Sequence, residues 1–113
     1  DLKLSRGLGD VYKRQPCDRF SFEGFLPVKK GRTKRLKELS IETKTMVFYE
    51  SPHRILKTLN DLSNYFDVES QISVSRELTK LYEETFRGTI KESVEHFEKN
   101  KTKGEFVIVL SPK

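Results

Sequence analysis

Apolar residues along the chain fall into short runs separated by stretches of helical spacing. Met46, Val47, Phe48 and Tyr49 form a continuous hydrophobic run, as does Phe106-Val107-Ile108-Val109-Leu110. Such runs read as strands buried on both faces of a sheet. Phe20, Phe22 and Phe25 mark a first strand closing at Pro27, and Ile72 and Val74 alternate with Gln71, Ser73 and Ser75. Phe86 and Thr89 fit a further short strand. Between these runs the period changes. Leu36 and Leu39 form the stripe of a helix over Lys34–Glu42. Ile55, Leu56, Leu59, Leu62 and Phe66 line a helix over Pro52–Phe66, with Ser51 as its N-cap and Pro52 at the first helical position. Thr89-Ile90-Lys91-Glu92 has the form of a capping box, and Ile90, Val94 and Phe97 give the following helix one buried face. Strands interleaved with helices predict a single α/β layered domain with a mixed, largely parallel sheet. There are no internal repeats.

The 113 residues suffice for one domain. No apolar run approaches the ~18 residues of a membrane span, and no charged-then-apolar leader suggests export. The lone Cys17 cannot form an internal disulfide, which fits a cytoplasmic protein. Residues 1–15 stand apart: they follow neither period, and Gly7 and Gly9 have no strand before them, so they make no phosphate loop. Asp10-Val11-Tyr12-Lys13-Arg14-Gln15 reads as translated adapter sequence. This leader is expected to be non-native and disordered, leaving residues 16–113 as the domain. The net charge is +5, and removing Lys3, Arg6, Lys13 and Arg14 against Asp1 and Asp10 lowers it to +3. That mild excess favours polyanionic partners without demanding them.

Two groups of residues carry candidate chemistry. Glu50, His53 and Arg54 lie where a strand turns into a helix, and open α/β sheets bind ligands at such carboxyl ends. Cations in a first helical turn oppose the helix dipole, so local stability does not account for them. Arg76, Glu77, Thr79 and Lys80 follow another strand; if the 46–49 and 72–74 strands are parallel neighbours, the two sets share an edge. Arg76 and Glu77 can equally be an ion pair closing a strand. The second group is Lys29, Lys30, Arg32, Lys34, Arg35 and Lys37, a run of cations with no acid among them. Runs of this kind neutralise phosphates, although a solvated loop with Lys34 paired to Glu38 would look the same. Gly31 lets the backbone approach a polyanion closely. His53 and His96 lie too far apart in sequence to suggest a metal site, and His96 is expected at the surface of the last helix.

Five blocks in order, FEGFLP-KK, FYESPHR, SRELTK, YEE-RGT and KGEFVIVL, resemble the C-terminal half of the bacterial 16S rRNA (cytidine-2′-O)-methyltransferases. These are the small-subunit methyltransferase I family of the tetrapyrrole-methylase superfamily. The resemblance runs from about Asp18 to the end. It implies the C-terminal domain of a tetrapyrrole-methylase-like fold, preceded by an N-terminal domain with a glycine-rich methyl-donor loop that is not present here. It also implies S-adenosylmethionine as methyl donor, small-subunit ribosomal RNA as substrate and no membrane partner; a homodimer is left open. On this basis Tyr49, Glu50, Ser51, Arg76, Gly104 and Phe106 are donor-site candidates. Glu77, Lys80 and His53 are catalytic candidates, with His53 or Lys80 accepting the hydroxyl proton. Lys29, Lys30, Arg32, Lys34, Arg35 and Arg54 are candidates for RNA phosphates, and no metal is implied. The resemblance further implies that the fragment alone is inactive. Two other functions compete: a non-catalytic basic RNA-binding α/β module, and a methylase of tetrapyrroles or other small molecules.

Overall fold

The computed structural model describes residues 20–79, 82–100 and 103–113. The expected leader, Cys17 and Lys80 lie outside them. Five strands, β1 (Phe20–Phe25), β2 (Thr45–Glu50), β3 (Gln71–Thr79), β4 (Tyr82–Thr89) and β5 (Glu105–Ser111), form one sheet in the order β1-β2-β5-β3-β4. Three helices, α1 (Arg32–Ser40), α2 (Ile55–Tyr65) and α3 (Ile90–Lys99), connect them. The β1–β2 pair is parallel, and the other three pairings are antiparallel. The sheet is therefore mixed, with β1, β2 and β3 running one way and β4 and β5 the other.

The two apolar runs take the positions their composition demands. β5 is the central strand and β2 is beside it, and Met46, Val47, Phe48, Phe106, Val107, Ile108 and Leu110 are all buried. Alternate residues divide between the faces. Met46, Phe48, Ile72, Val74, Phe106, Ile108 and Leu110 meet Leu36, Leu39, Ile55, Leu59, Leu62, Phe66, Ile90 and Phe97 of the helical layer in one core. The opposite face carries Val47, Tyr49, Val107, Val109, Ser73 and Ser75, and none of the three described helices packs on it. Among the described residues the result is two layers, with the three helices on one side of the sheet.

Helix starts show where local signals held and where they yielded. Thr89 accepts the Glu92 amide at 3.1 Å while the Glu92 carboxylate accepts the Thr89 amide at 2.9 Å, so the capping box forms as expected. Ser51 does not cap α2. Its amide donates to the Glu50 carboxylate at 2.8 Å, and the Arg54 amide donates to the Ser51 carbonyl at 3.1 Å. A turn over residues 51–54 is thereby inserted, and α2 begins at Ile55 rather than Pro52. α1 starts at Arg32, two residues earlier than expected, on a Gly31 whose φ of 82° suits glycine.

Phe48 is fully buried at the centre of this core, so Phe48→Ala should lose about 3–5 kcal/mol of stability. Thr89→Ala removes only a cap and should lose about 1 kcal/mol. Urea unfolding followed by circular dichroism would check the ratio; equal losses would mean that the helical layer does not rest on Phe48 as described.

Candidate functional site

Because β1, β2 and β3 run opposite to β4 and β5, the carboxyl ends of the first three share one edge with the amino ends of the other two. The register makes this concrete. Glu50 stands opposite Phe106, Phe106 opposite Arg76, and Arg76 opposite Glu84. Tyr49, Glu50, Ser51, His53, Arg54, Arg76, Glu77, Gly104 and Phe106 are thus gathered at one edge. The expectation that β2 and β3 are neighbours fails, because β5 lies between them. Glu50 and Arg76 are consequently two strand spacings apart, about 10 Å. Adjacency of consecutive strands is only a tendency, and a strand apolar on both faces belongs in the middle of the sheet.

Beneath this edge lies a buried polar network. Glu50 is 4% exposed and accepts from the Ser51 amide and from the Thr58 hydroxyl. Thr58 in turn accepts from Arg32 Nη2 at 3.0 Å. Arg32 is 6% exposed; its Nε donates to Asp61 at 2.8 Å and its Nη1 to the Pro27 carbonyl at 3.0 Å. The charge of Arg32, grouped by sequence with the phosphate-binding cations, is instead engaged inside the protein. The Glu50 carboxylate likewise points at Ser51 and Thr58. The sequence held a signal for this: Arg32 shares the i, i+4, i+7 stripe of Leu36 and Leu39, the face by which α1 docks.

The other cations remain outside. Lys29, Lys30, Lys34 and Lys37 are exposed. Arg35 is partly committed, donating to Glu23 and, at 3.3 Å, to Glu38. The hydrogen bond to Glu23 raises the Arg35 pKa above its ordinary value. Arg54 Nη2 donates to the Val28 carbonyl at 3.2 Å, which brings the turn after β2 against the connector after β1. Lys29, Lys30 and Arg54, with exposed His53 next in sequence, form a cationic rim at the ends of the parallel strand pair.

The remaining candidates divide. Arg76 pairs across the strand with Glu84, at 2.8 Å. The Phe106 ring is buried edge-on to Phe97 at 5.6 Å, so only its backbone faces the edge. Gly104, with φ of 81°, leads into β5. Glu77 is placed by its backbone opposite Glu105 and Glu83. His96 is not a free surface residue: it stacks on Phe86 at 4.8 Å and meets Phe97 edge-on.

No protein-family model matches the chain. It is, however, 46% identical over 98 residues to ribosomal RNA small subunit methyltransferase I of Thermotoga maritima, covering 87% of this chain and 44% of that protein. The namesake protein of a Synechocystis strain is 44% identical over 95 residues, covering 83% of this chain and 34% of the relative. The chain is a partial homologue of ribosomal RNA small subunit methyltransferase I. It spans less than half the length of the curated relatives of that name described here. Among solved structures it resembles cobalt precorrin-4 methyltransferase, a cobalamin biosynthetic enzyme, with a TM-score of 0.61 at 16% identity, covering 81% of this chain and 39% of that one. Uroporphyrin III C-methyltransferase from Thermus thermophilus gives 0.59 at 14% identity, with the same coverage. At such identities these likenesses establish the fold, that of tetrapyrrole methyltransferases.

Removing Arg32 leaves Asp61, among the described residues, with only Lys57, at 3.9 Å, and takes the buried cation away from the Glu50–Thr58 pair and the Pro27 carbonyl. Arg32→Ala should therefore destabilise the chain by about 3–5 kcal/mol, whereas Lys29→Ala or Lys30→Ala should shift stability by no more than about 0.5 kcal/mol. Urea unfolding of the three variants would test this, and an Arg32→Ala protein as stable as the lysine variants would dissolve the network.

Proposed function

We propose that the chain is the C-terminal half of an S-adenosylmethionine-dependent enzyme that 2′-O-methylates a cytidine of 16S ribosomal RNA. The observation that carries this reading is the cationic rim: Lys29, Lys30 and Arg54 stand together at the sheet edge where strand-end donor candidates also gather. The 46% identity to ribosomal RNA small subunit methyltransferase I supports the same substrate class. In this reading Lys29, Lys30, Lys34 and Arg54 hold RNA phosphates and Arg35 contributes in part. Arg32 serves them from inside by fixing the connector.

The edge suits part of the methyl donor. Gly104, with its positive φ, turns the chain into β5 at this edge, where the ends of β2 and β5 would flank a flat heterocycle. Bound there, S-adenosylmethionine supplies an electrophilic methyl group. This chain's own part is to position the RNA and to accept the ribose hydroxyl proton, at the exposed His53 imidazole or at Lys80, with Glu77 nearby in sequence. The rest of the donor site belongs to the N-terminal domain, and the enzyme works in the cytoplasm. Glu50 turned inward and Arg76 paired with Glu84 favour a second reading, a basic RNA-binding module without catalysis.

RNA binding by the chain should weaken with salt, and replacing Lys29, Lys30 or Arg54 with alanine should each reduce the log–log salt slope by ~0.7. Fluorescence anisotropy at several salt concentrations measures this; unchanged slopes would make the rim a solvated loop. With one wall of the donor site present, calorimetry of the chain with S-adenosylmethionine should show no saturable binding at micromolar concentrations. Restored to the full-length protein, His53→Ala should reduce turnover while leaving RNA affinity within about twofold. Undiminished turnover would transfer the proton-accepting role to another group.

A further inference from the structure

The face of the sheet turned away from the three described helices carries an aromatic group that neither the core nor the cationic rim uses. In β1 the register slips by one residue between Phe22 and Gly24. Phe22 then stands opposite Val47 and Phe25 opposite Tyr49, so both rings leave the same face. Under plain alternation Phe25 would have faced the helices. Bulges that re-aim a side chain are features of function more often than accidents of packing. Tyr49 meets both rings, at centroid separations of 5.2 Å for Phe22 and 5.6 Å for Phe25. Yet Phe22 is 52% exposed and Phe25 62%. Two half-exposed phenyl rings that both meet Tyr49 make an apolar patch of the kind that marks an interaction site.

The surroundings select its chemistry. In the same rows as Phe22 and Phe25, β3 and β4 contribute Ser73, Ser75, Thr85 and Arg87. Between them β5 contributes Val109 and Val107, so the large exposed apolar side chains of these rows stand on β1 and the far strands are polar. The chain leaves Phe25 for Lys29 and Lys30 by way of exposed Val28, whose carbonyl holds Arg54. Aromatic faces followed at once by three cations complement a strand of unpaired nucleotides, bases on the rings and phosphates on the charges. Glu105, exposed on the same face beyond Val107, repels phosphates from that side and leaves the path over β1 and β2.

We propose that Phe22, Phe25 and Tyr49 form a stacking platform for unpaired bases of the RNA whose phosphates are held by Lys29, Lys30 and Arg54. The platform rests on the RNA-binding reading above and adds to it where the bases go. Stacking tolerates any base, so the platform grips single-stranded RNA without reading its sequence.

Titration of the chain with labelled oligocytidine and with an abasic phosphodiester of equal length separates base contacts from phosphate contacts. The abasic ligand should bind roughly tenfold more weakly, as loss of one or two stacked bases implies. Phe22→Ala with Phe25→Ala should weaken oligocytidine to the abasic level and leave the abasic affinity unchanged. Lys29→Ala with Lys30→Ala should weaken both ligands and reduce the salt slope. Phe25→Trp should keep the affinity and show fluorescence quenched by oligocytidine. Equal affinity for the two ligands, or an aromatic variant that binds normally while the lysine variant fails, overturns the platform and leaves the RNA reading standing. Absence of salt-dependent binding to either ligand overturns both. A concentration-dependent dimer in sedimentation that the aromatic variant dissociates, with oligocytidine affinity unchanged, would assign the face to a second copy of the chain and overturn the proposal.

Discussion

Arg32, Glu50, Thr58 and Asp61 come from α1, β2 and α2 and meet beneath the carboxyl ends of β1 and β2. Through the Pro27 carbonyl and the Ser51 amide they also hold the connector after β1 and the turn after β2. Burying a guanidinium and a carboxylate, with a second carboxylate at the margin, is costly unless every group is partnered. Here the partnering is complete, and among the described residues no buried side-chain polar atom lacks one. An apolar cluster of the same volume would fill the space equally well, but it would not dictate where the two segments leave the sheet. The directional bonds of Arg32 do that.

The exposed chemistry depends on this anchor. Lys29 and Lys30 follow the carbonyl that Arg32 holds, and Arg54 closes the turn that begins at the amide Glu50 accepts. The parallel pairing of β1 with β2 sets the two segments side by side, and Arg54 joins them at the Val28 carbonyl. Charge in this region is therefore divided by position. One arginine is consumed in the fold, one is shared with Glu23 and Glu38, and the exposed lysines, beside an Arg54 anchored on the Val28 carbonyl, are left to meet a polyanion. A run of six cations in sequence becomes three kinds of residue in space.

The elements themselves were largely legible in the residues. Both two-sided strands, the alternating strand at Ile72–Val74 and the Thr89 capping box follow from local spacing, and each forms. The candidate edge was legible in outline, since polar residues after apolar strands are gathered at one edge by strand direction. Its composition was less so. Arg32 read as one more cation because charge drew attention away from its place in the Leu36–Leu39 stripe. Ser51 read as a cap because its type is right, but the Glu50 carboxylate took its amide and moved the helix start onward. The β5 strand, last in the chain, separates β2 from β3, and consecutive order gave no sign of that insertion.

By itself the sequence determined what short-range physics can determine: period, caps, apolar runs, and motifs whose order matches ribosomal RNA small subunit methyltransferase I. Only the tertiary structure decided which strand lies beside which, which cation is buried, and which face Phe25 takes. Each of these depends on partners distant along the chain. Arg32 finds Asp61 only after α1 and α2 have packed, and the slip at Glu23 has meaning only against the register of β2. Residue type and spacing describe what a segment can do alone; pairing and burial, which select among those options, exist only once the segments have met.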